Sequence, residues 1–200
     1  TNTGKELILI EADFADQFAH IRKLPQTVMP KDIGLIIAMT GVGPDTMVLD
    51  AGAGSGALAA GLARVAKHVT TYEMRDDFIE NIKKNFEHLG LKNVTLKHAD
   101  ITKGVEERGI NLVTLDMPEP WTALDAITPA LDIGCFLVCY LPSIPQVMEA
   151  VDAIKKSGKY LMIDTIELMK REWHVEGKKV RPKSDMLGHT AFLIFARKIQ

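Results

Sequence analysis

Met47-Val-Leu-Asp-Ala-Gly-Ala-Gly-Ser-Gly-Ala-Leu58 is the stretch that decides the fold of this chain. An apolar run ends in an acidic residue, passes through three alternate glycines and continues into an alanine- and leucine-rich helical pattern. Glycine is needed where the backbone takes a positive φ, or where a ligand lies against bare main chain. The stretch therefore predicts a strand, a tight glycine loop and the start of a helix.

The glycine loop, residues 51–56, has the spacing Gly52-x-Gly54-x-Gly56. This differs from G-x-G-x-x-G, whose helix start holds a pyrophosphate, and it suits a nucleoside cofactor without phosphate, namely S-adenosylmethionine. The next strand-like run ends in Glu73, roughly 20 residues beyond Gly52, where a carboxylate can accept hydrogen bonds from ribose hydroxyls. The alternative is an ordinary glycine turn, but loop and acid together favour the cofactor. The predicted cofactor contacts here are Ala51, Gly52, Ala53, Gly54, Ser55, Gly56, Glu73 and Met74.

The overall composition is typical of one globular domain. Of the 200 residues, 46% are apolar and 25% are charged, which suits a soluble protein with a sizeable core. Cys135 and Cys139 lie on one face of an apolar run, which predicts buried thiols rather than a disulfide or a metal pair, so no metal is expected. No apolar stretch approaches the ~20 residues of a membrane helix and no signal peptide opens the chain, so we expect no membrane partner and a cytoplasmic location.

The net charge of −2 hides an uneven distribution along the chain. The last 50 residues hold 11 Lys and Arg against 6 Asp and Glu, whereas the first 150 hold 13 against 20. A basic end on an acidic body is compatible with binding a polyanion. It is equally the pattern of a solvated, lysine-rich face, and the distribution taken alone favours that interpretation.

The chain divides at about residue 25. Residues 1–25 are expected to be an N-terminal extension, or the remnant of a larger N-terminal part, ahead of a catalytic domain over residues 26–200. Within the extension, Leu7-Ile-Leu-Ile10 predicts a short strand, and residues 14–24 show weak helical periodicity.

The start of the catalytic domain is Pro25-Gln-Thr-Val-Met-Pro-Lys-Asp32. This stretch predicts extended backbone, because the residue before each proline is pushed out of the helical region. An apolar helix over residues 33–39 follows. Because such a helix before the first strand commonly covers the cofactor pocket, Gln26 and the backbone near Val28 are candidate cofactor contacts.

The later strand patterns complete a sheet. Further strands are predicted over residues 93–97, 110–116 and 135–141. Residues 160–175 predict one arm of an antiparallel pair, with a turn at Gly177 and a returning strand over residues 191–196. This order predicts an α/β, doubly wound, mostly parallel seven-stranded sheet with an antiparallel C-terminal edge hairpin, which is the S-adenosylmethionine methyltransferase fold.

Two further acids follow predicted strands. Asp100, with Ile101 beside it, can reach the adenine amino group of the cofactor or cap the following turn, and the sequence leaves both interpretations open. Asp116 ends the fourth strand and opens the loop Met117-Pro-Glu-Pro-Trp121. Ligands bind outside the carboxyl ends of such strands, so Asp116 is favoured as a functional residue over a helix cap. Its carboxylate can accept a hydrogen bond from the exocyclic amine of a base. Trp121 can form an apolar wall for that base, but the sequence favours a core position for it.

Five motifs of the chain occur together in one known family. They are the stretch 25–32, the glycine loop, Leu115-Asp-Met-Pro-Glu-Pro-Trp121, Leu141-Pro-Ser-Ile-Pro-Gln-Val147 and Arg181-Pro-Lys-Ser-Asp-Met-Leu-Gly-His-Thr-Ala-Phe-Leu-Ile-Phe-Ala-Arg197. With these motifs the chain resembles, from Gln26 to Arg197, the tRNA (adenine-N1)-methyltransferases that modify a T-loop adenine. The resemblance implies methyl transfer from S-adenosylmethionine to adenine N1 of tRNA by a homotetramer. It also implies that Asp116 is the catalytic aspartate, and that the glycine loop, Glu73, Asp100 and the Gln26 segment contact the cofactor.

The chain departs from this family in the part that captures RNA. Members usually carry a small β-rich domain ahead of the catalytic one, and often have an aromatic residue or histidine, able to stack on the target base, where this chain has Met29. Met29 is therefore a candidate base contact. His189 is expected to hold a turn or a subunit contact rather than to catalyse. The candidate phosphate contacts, which would make tRNA binding salt-dependent, are Lys170, Arg171, Lys178, Lys179, Arg181 and Lys183.

Two other functions stay open at this point. One is a methyltransferase of the same fold that acts on a small molecule, which the acidic body and the short N-terminal part favour. The other is a non-catalytic subunit that partners an active chain. The intact glycine loop, Glu73 and Asp116 speak against the second, because a non-catalytic partner has no need to keep them.

Overall fold

The computed structural model describes residue 4, residues 6–24 and residues 26–200. Pro25, the first residue of the predicted extended stretch, lies outside the described residues, as do residues 1–3 and 5. The helices are α1 (Phe14–Ala19), α2 (Pro30–Thr40), α3 (Ala57–Ala63), α4 (Asp76–His88), α5 (Leu124–Ile127) and α6 (Ile144–Ser157). The strands are β1 (Met47–Ala51), β2 (His68–Glu73), β3 (Val94–His98), β4 (Ile110–Leu115), β5 (Leu131–Leu141), β6 (Tyr160–Glu167), β7 (Trp173–Glu176), β8 (Lys179–Pro182) and β9 (Phe192–Lys198). Within the described ranges, every helix is too short or too polar to cross a bilayer.

Seven of the strands form one sheet in the order β3-β2-β1-β4-β5-β9-β6. Strand β9 runs antiparallel to both of its neighbours, and the other pairings are parallel. The strand order reverses between β1 and β4, and ligands of open α/β sheets bind at the carboxyl ends of the strands at such a switch point. The predicted fold, a mostly parallel seven-stranded sheet with an antiparallel pair near one edge, is confirmed.

Alternate strand residues fill two cores, one on each face of the sheet. In β1, Val48 belongs to one core and Leu49 to the other, and Leu112 and Val113 divide in the same way in β4. Helices α2, α3 and α4 cover the first core, whereas α5 and α6 cover the second. The glycine loop leads into α3, which packs on the first core. The switch point is therefore next to a closely packed layer of side chains.

The C-terminal antiparallel pair differs in detail from the prediction. The arms of the pair are β6 and β9, but Gly177 does not join them. Instead, Gly177, at φ 54°, turns a separate two-stranded ribbon of β7 and β8, which stands apart from the main sheet. The apolar and polar alternation over residues 160–175 continues through both β6 and β7, and for this reason it did not reveal the break between them.

Several predicted element boundaries also move. The strand predicted at Leu7–Ile10 is wrong, because these residues are irregular and Leu9 is 95% exposed. The predicted extended backbone is wrong at Gln26, which turns with a φ of 63°, and at its end, because helix α2 begins at Pro30. The fifth strand, predicted over residues 135–141, begins earlier, since Leu131 already pairs with Ile110 in the sheet.

The two cysteines were expected to be buried thiols. Both are free, and both pack with the core that α5 and α6 cover, Cys139 fully buried and Cys135 partly buried. The prediction of buried, unpaired thiols is therefore confirmed for Cys139 and holds partly for Cys135.

Candidate active site

The glycine loop is shaped by close approaches of backbone that only glycine permits. Gly52, Gly54 and Gly56 have φ values of 82°, 54° and 78°. A Cβ atom on Gly52 would lie 1.8 Å from the carbonyl oxygen of Asp116, and one on Gly56 would lie 2.6 Å from the ring of Phe86. The loop therefore needs glycine both for its backbone angles and because the chain after β4 lies directly against it.

Glu73, at the end of β2, holds the glycine loop through the main chain. One carboxylate oxygen accepts from the Gly54 N–H at 2.9 Å, and the other accepts from the Arg75 N–H at 2.9 Å. The side chain is buried, with 5% of its surface exposed. Because a carboxylate offers about four acceptor positions, Glu73 can still accept from the hydroxyls of a ribose. That role stays a prediction.

Asp50 lies beneath the loop and was not identified as a site residue from the sequence. Its carboxylate accepts from the hydroxyl of Thr71 at 2.5 Å and from that of Thr114 at 2.6 Å, and it is 1% exposed. Burial raises the pKa of Asp50 to about 6, although its two hydrogen bonds lower it and the charge of Glu73 raises it. Asp50 thus ties β1 to both neighbouring strands directly below the glycine loop.

Asp116 follows β4 beside the glycine loop. Its N–H donates to the carbonyl of Ala51 at 2.8 Å, which continues the pairing of β4 with β1 beyond the last strand residue. Burial raises the pKa of the Asp116 carboxyl well above its usual range, and the charges of Asp50 and Glu73 raise it further. The charges of Asp50 and Glu73 thus both act on Asp116 at the switch point, and such a group of acids favours a bound cation or hydrogen-bond donors.

Asp116 also lines a cavity of about 380 Å³, called here the Asp116 cavity. One wall comes from the segment before α2, residues 22–24 and 26–29, called here the pre-helix segment. A second wall is the end of β5 with Tyr140 and Pro142, and a third is the C-terminal segment of residues 187–190. Four stretches that are distant in sequence therefore meet around one carboxyl group.

A buried ion pair joins the three walls of the Asp116 cavity. The carboxylate of Asp32, in the first turn of α2, is fully buried and accepts from Lys31 Nζ at 2.7 Å. It also accepts from the Tyr140 hydroxyl at 3.1 Å and from the Thr190 hydroxyl at 2.9 Å. Lys31 Nζ donates further to the carbonyl of Leu168 at 2.6 Å and to the Thr190 hydroxyl at 2.7 Å. All three ammonium hydrogens thus have an acceptor.

His189 belongs to the third wall and has a structural partner on each ring nitrogen. Nδ1 lies 2.6 Å from a carboxylate oxygen of Glu167 and Nε2 lies 2.9 Å from the carbonyl of Pro142. The hydrogen bond to Glu167 and the one to Pro142 raise the pKa of His189. Both contacts pin the C-terminal segment to the ends of β5 and β6, in line with the turn-holding role expected for this histidine.

The remaining predicted cofactor and base contacts take varied positions. Gln26, at φ 63°, and Met29 line the Asp116 cavity. Two of the predicted residues, Val28 and Ile101, have buried side chains in the cores, so only their backbone is free to contact a ligand. Met74 is 65% exposed. These contacts stay predictions.

Asp100 and Trp121 each had a functional and a structural interpretation from the sequence, and both make the contacts of the structural one. Asp100 accepts from the N–H of Thr102 at 3.0 Å and from its hydroxyl at 2.7 Å, so it caps the 3₁₀ turn Ile101–Lys103. Its other carboxylate oxygen lies 4.0 Å from Lys103 Nζ, and the contact with an adenine amino group stays a prediction. Trp121 packs partly buried against the core under α5 and α6, not in the Asp116 cavity, which is the core role favoured for it.

The basic ribbon, formed by β7 and β8 with the basic residues beside them, has only some of its side chains free to contact phosphates. Lys170 and Lys183 both form ion pairs with Glu172, at 2.6 and 2.5 Å. The other predicted phosphate contacts are exposed on or beside the ribbon, namely Arg171, Lys178, Lys179 and Arg181. Across the described ranges, no group of three or more His, Cys, Asp or Glu side chains is placed to hold a metal ion.

Comparisons with known proteins point to one family. Residues 19–181 match the family described as the tRNA methyltransferase complex GCD14 subunit. The chain is 30% identical to the tRNA (adenine(57)-N(1)/adenine(58)-N(1))-methyltransferase TrmI of Methanocaldococcus jannaschii, over 98% of this chain and 80% of that protein. The crystal structure of tRNA (m1A58) methyltransferase TrmI from Aquifex aeolicus superposes with a TM-score of 0.88 at 28% identity, over 94% of this chain and 77% of that one. An S-adenosylmethionine-dependent O-methyltransferase of Thermotoga maritima superposes with the same TM-score at 31% identity, over 94% and 72% of the two chains.

Proposed function

The chain belongs to the family of the tRNA methyltransferase complex GCD14 subunit, and from this premise we propose that it transfers a methyl group from S-adenosylmethionine to N1 of an adenine in the T-loop of tRNA. The observation that carries the proposal is the position of Asp116, against the glycine loop on one side and in the cavity wall on the other. The names of the relatives point to adenine 58, with adenine 57 as a second target in the Methanocaldococcus protein.

The residues at the switch point fit S-adenosylmethionine. This cofactor supplies an electrophilic methyl group on a sulfonium cation. At Gly54 the loop has no side chain, and an added Cβ would meet no atom nearer than 3.8 Å, so its backbone is open to a nucleoside. We propose that Glu73, at the end of β2, accepts from ribose hydroxyls, and that Asp100, after β3, accepts from an adenine amine. The charges of Asp50 and Glu73 act on Asp116, and such a group of acids favours a cation over an anionic, phosphate-bearing cofactor.

The proposed chemistry needs alignment more than it needs a base. N1 of neutral adenine has a free lone pair, so the protein's task is to hold it in line with the methyl group, which is catalysis by proximity and orientation. Asp116 accepts a hydrogen bond from the N6 amine of the base and stabilises the positive charge that forms on the ring as the methyl is transferred. Because the carboxyl is buried, this interaction is stronger than it would be in water.

The target base must leave the T-loop before it reaches Asp116. The pre-helix segment and the C-terminal segment both line the Asp116 cavity, and Met29 contributes an apolar side chain to that lining. We propose that the basic ribbon contacts tRNA phosphates, chiefly through Arg171, Lys178, Lys179 and Arg181. A homotetramer, a catalytic domain over residues 26–200 and a cytoplasmic location complete the proposal and rest on the family resemblance.

The test is methylation of unmodified tRNA with a labelled cofactor, followed by digestion and identification of the methylated nucleoside. We expect 1-methyladenosine from the T-loop, and its loss with Asp116→Ala. Label on small hydroxyl compounds but not on tRNA would instead support the small-molecule alternative. The similarity to the Thermotoga O-methyltransferase is the observation that favours this alternative. Failure to bind S-adenosylhomocysteine would support the non-catalytic alternative.

A further inference from the structure

The glycine loop and the pre-helix segment are joined by a buried amide. Asn85, on α4, donates from its side-chain nitrogen to the carbonyl of Ser55 at 2.8 Å and to the carbonyl of Arg22 at 3.0 Å. Its side-chain oxygen accepts from the Arg22 N–H at 2.9 Å. Since Arg22 presents one donor and one acceptor, and Ser55 presents an acceptor, only this orientation of the amide satisfies all three contacts. The side chain is 4% exposed, so none of these bonds is exchanged freely for water.

A second hydrogen bond joins the same two regions. The Thr27 and Ser55 hydroxyl oxygens lie 3.2 Å apart. The single hydroxyl hydrogen of Thr27 is directed to the carbonyl of Leu24 at 2.8 Å, so Ser55 is the donor to Thr27. Ser55 is therefore held to the pre-helix segment by its main chain through Asn85 and by its side chain through Thr27.

These bonds connect the two halves of the proposed site. Ser55 belongs to the loop that takes the cofactor in the proposed function. Arg22 begins the segment whose following residues, including Gln26, Thr27 and Met29, form one wall of the Asp116 cavity. Asn85 itself lies outside that cavity. A ligand that fixes the position of Ser55 therefore also fixes this wall, in part through Asn85, whose side chain does not line the cavity.

We propose that Asn85 is a positioning residue that couples the cofactor loop to the wall for the target nucleotide, so that binding of either ligand strengthens binding of the other. This inference rests on the proposed function. By linkage, the coupling must be reciprocal, and couplings of this kind change affinity roughly 5–150-fold. The buried hydrogen bonds of Asn85 order the pre-helix segment before the nucleotide binds. Less conformational entropy is then lost when the nucleotide binds.

The chain provides a matched control one helical turn away. Asn81 is on the same helix face, is 7% exposed and donates to the same Arg22 carbonyl at 3.1 Å. Unlike Asn85, it has no hydrogen bond to the glycine loop in the described structure, and its side-chain oxygen has no partner there. Asn81→Ala therefore loosens Arg22 without cutting the link to Ser55, whereas Asn85→Ala does both.

The test measures hydrogen exchange in the full chain with and without saturating S-adenosylhomocysteine. In the native protein and in Asn81→Ala, we expect the ligand to slow exchange both at the glycine loop and in a peptide that covers residues 18–24. This peptide ends before Gln26 and Val28, which are themselves predicted cofactor contacts. In Asn85→Ala, we expect slowing at the loop but not in that peptide. In the native protein, unmodified tRNA is expected to increase the affinity for S-adenosylhomocysteine. In Asn85→Ala, we expect this increase to be smaller by at least about fivefold.

Two results would overturn the inference, namely full protection of residues 18–24 in Asn85→Ala or an equal loss in Asn81→Ala. If Asn85→Ala does not fold, Asn85→Asp keeps the shape of the side chain and an acceptor for the Arg22 N–H but has no N–H for the Ser55 carbonyl, and unchanged coupling in that variant overturns the inference. A native protein that fails to bind S-adenosylhomocysteine contradicts the proposed function. A native protein that binds it without protecting residues 18–24 contradicts this inference alone.

Discussion

The two sides of the crevice above β1 and β4 are built in different ways. The cofactor side is centred on one continuous piece of chain, from Met47 to Glu73, to which Gln26, Val28 and Asp100 add predicted contacts. This piece is held mainly by main-chain contacts such as that of Gly52 with Tyr72. The nucleotide side is assembled from four distant stretches, and the Lys31–Asp32 pair bonds to the side chains of two of them, Tyr140 and Thr190. The first side therefore depends on backbone geometry, and the second depends on a buried charge network.

This difference predicts different kinds of failure. A side chain added at Gly52, on the cofactor side, displaces the backbone of Asp116, which no side-chain adjustment can relieve. A change on the nucleotide side leaves the loop intact but leaves buried polar groups without partners. The experiments below separate the two by measuring folding, cofactor affinity and methyl transfer independently.

Gly52→Ala is expected to have the largest effect. Its Cβ would lie 1.8 Å from the Asp116 carbonyl oxygen, so the ends of β1 and β4 must separate. We expect a loss of more than about 4 kcal/mol in the free energy of unfolding, the exceptional range for a point substitution, and no measurable binding of S-adenosylhomocysteine. Denaturant titration and calorimetry measure these two quantities.

The control for Gly52→Ala is Gly90→Ala. Gly90 has a φ of 63° but no atom within 4 Å of its added Cβ, so it carries the backbone strain without the collision. This strain costs roughly 1–2 kcal/mol. Equal losses in the two variants would show that backbone angle alone, and not the contact with Asp116, requires glycine at position 52.

Lys31→Met tests the network on the nucleotide side. It leaves the fully buried Asp32 without its cation, and removing one partner of a buried pair costs about 3–5 kcal/mol. Because Lys31 is 13% exposed, we expect a loss at the lower end of this range, about 3 kcal/mol in the free energy of unfolding. S-adenosylhomocysteine affinity should stay within a fewfold of the native value.

An exposed pair of similar length is the control for Lys31→Met. Lys156 lies 2.6 Å from Asp152, with side chains 76% and 62% exposed. Lys156→Met should lower the free energy of unfolding far less than Lys31→Met, because water already screens an exposed pair. If cofactor affinity fell as strongly as stability in Lys31→Met, the two sides of the crevice would not be separable as described.

Asp116→Asn addresses the residue that both sides share. We expect kcat for tRNA methylation to fall about 100-fold, equivalent to about 2.7 kcal/mol, because the charge that stabilises the methylated ring is removed. Affinity for S-adenosylhomocysteine, which lacks the sulfonium charge, should change little. A variant that lost cofactor affinity but kept its kcat would assign Asp116 to the cofactor side alone.

The pH dependence follows from the same carboxyl. Burial and the neighbouring carboxylates raise the pKa of Asp116, so the ionised form is present above this raised pKa and is lost as the pH falls through it. Methyl transfer should therefore decline on the acid side at a pH above the usual aspartate range. This acid limb should be absent from the residual activity of Asp116→Asn, and an unchanged limb would point to another group.

The smallest expected effects concern the basic ribbon. Lys178→Ala should lower the slope of log affinity for tRNA against log salt concentration by about 1, if Lys178 contacts a phosphate. Lys170→Ala is the control, because Lys170 is already paired with Glu172 at 2.6 Å and should change the slope less. A slope that neither variant alters would exclude Lys178 as a phosphate contact.

The cofactor side could be predicted from the sequence because its determinants are close together in the chain. The glycine spacing, the acid at Glu73 and the alternation of the strands gave the fold, which is confirmed, and the motifs gave the family, which the match over residues 19–181 confirms. The role of Asp50 was missed, because one acid within an apolar strand shows no partner until Thr71 and Thr114 are brought beside it.

The nucleotide side could be predicted only in part. Asp116 and Met29 were identified from strand position and motif, but Tyr140, Thr190 and the Lys31–Asp32 pair depend on contacts between residues more than 100 positions apart. No local pattern records such contacts. The same holds for Asn85, whose position in an amphipathic helix gave no sign of its bonds to Arg22 and Ser55.

A crystal structure of the protein with S-adenosylhomocysteine and a T-arm RNA tests most directly whether the two sides serve one reaction. We predict that the cofactor sulfur lies against the glycine loop, with N1 of one adenine facing it, and that an Asp116 carboxylate oxygen lies about 2.7–3.2 Å from the N6 amine of that adenine. An adenine bound elsewhere, or an Asp116 side chain turned away from the base, would contradict the account.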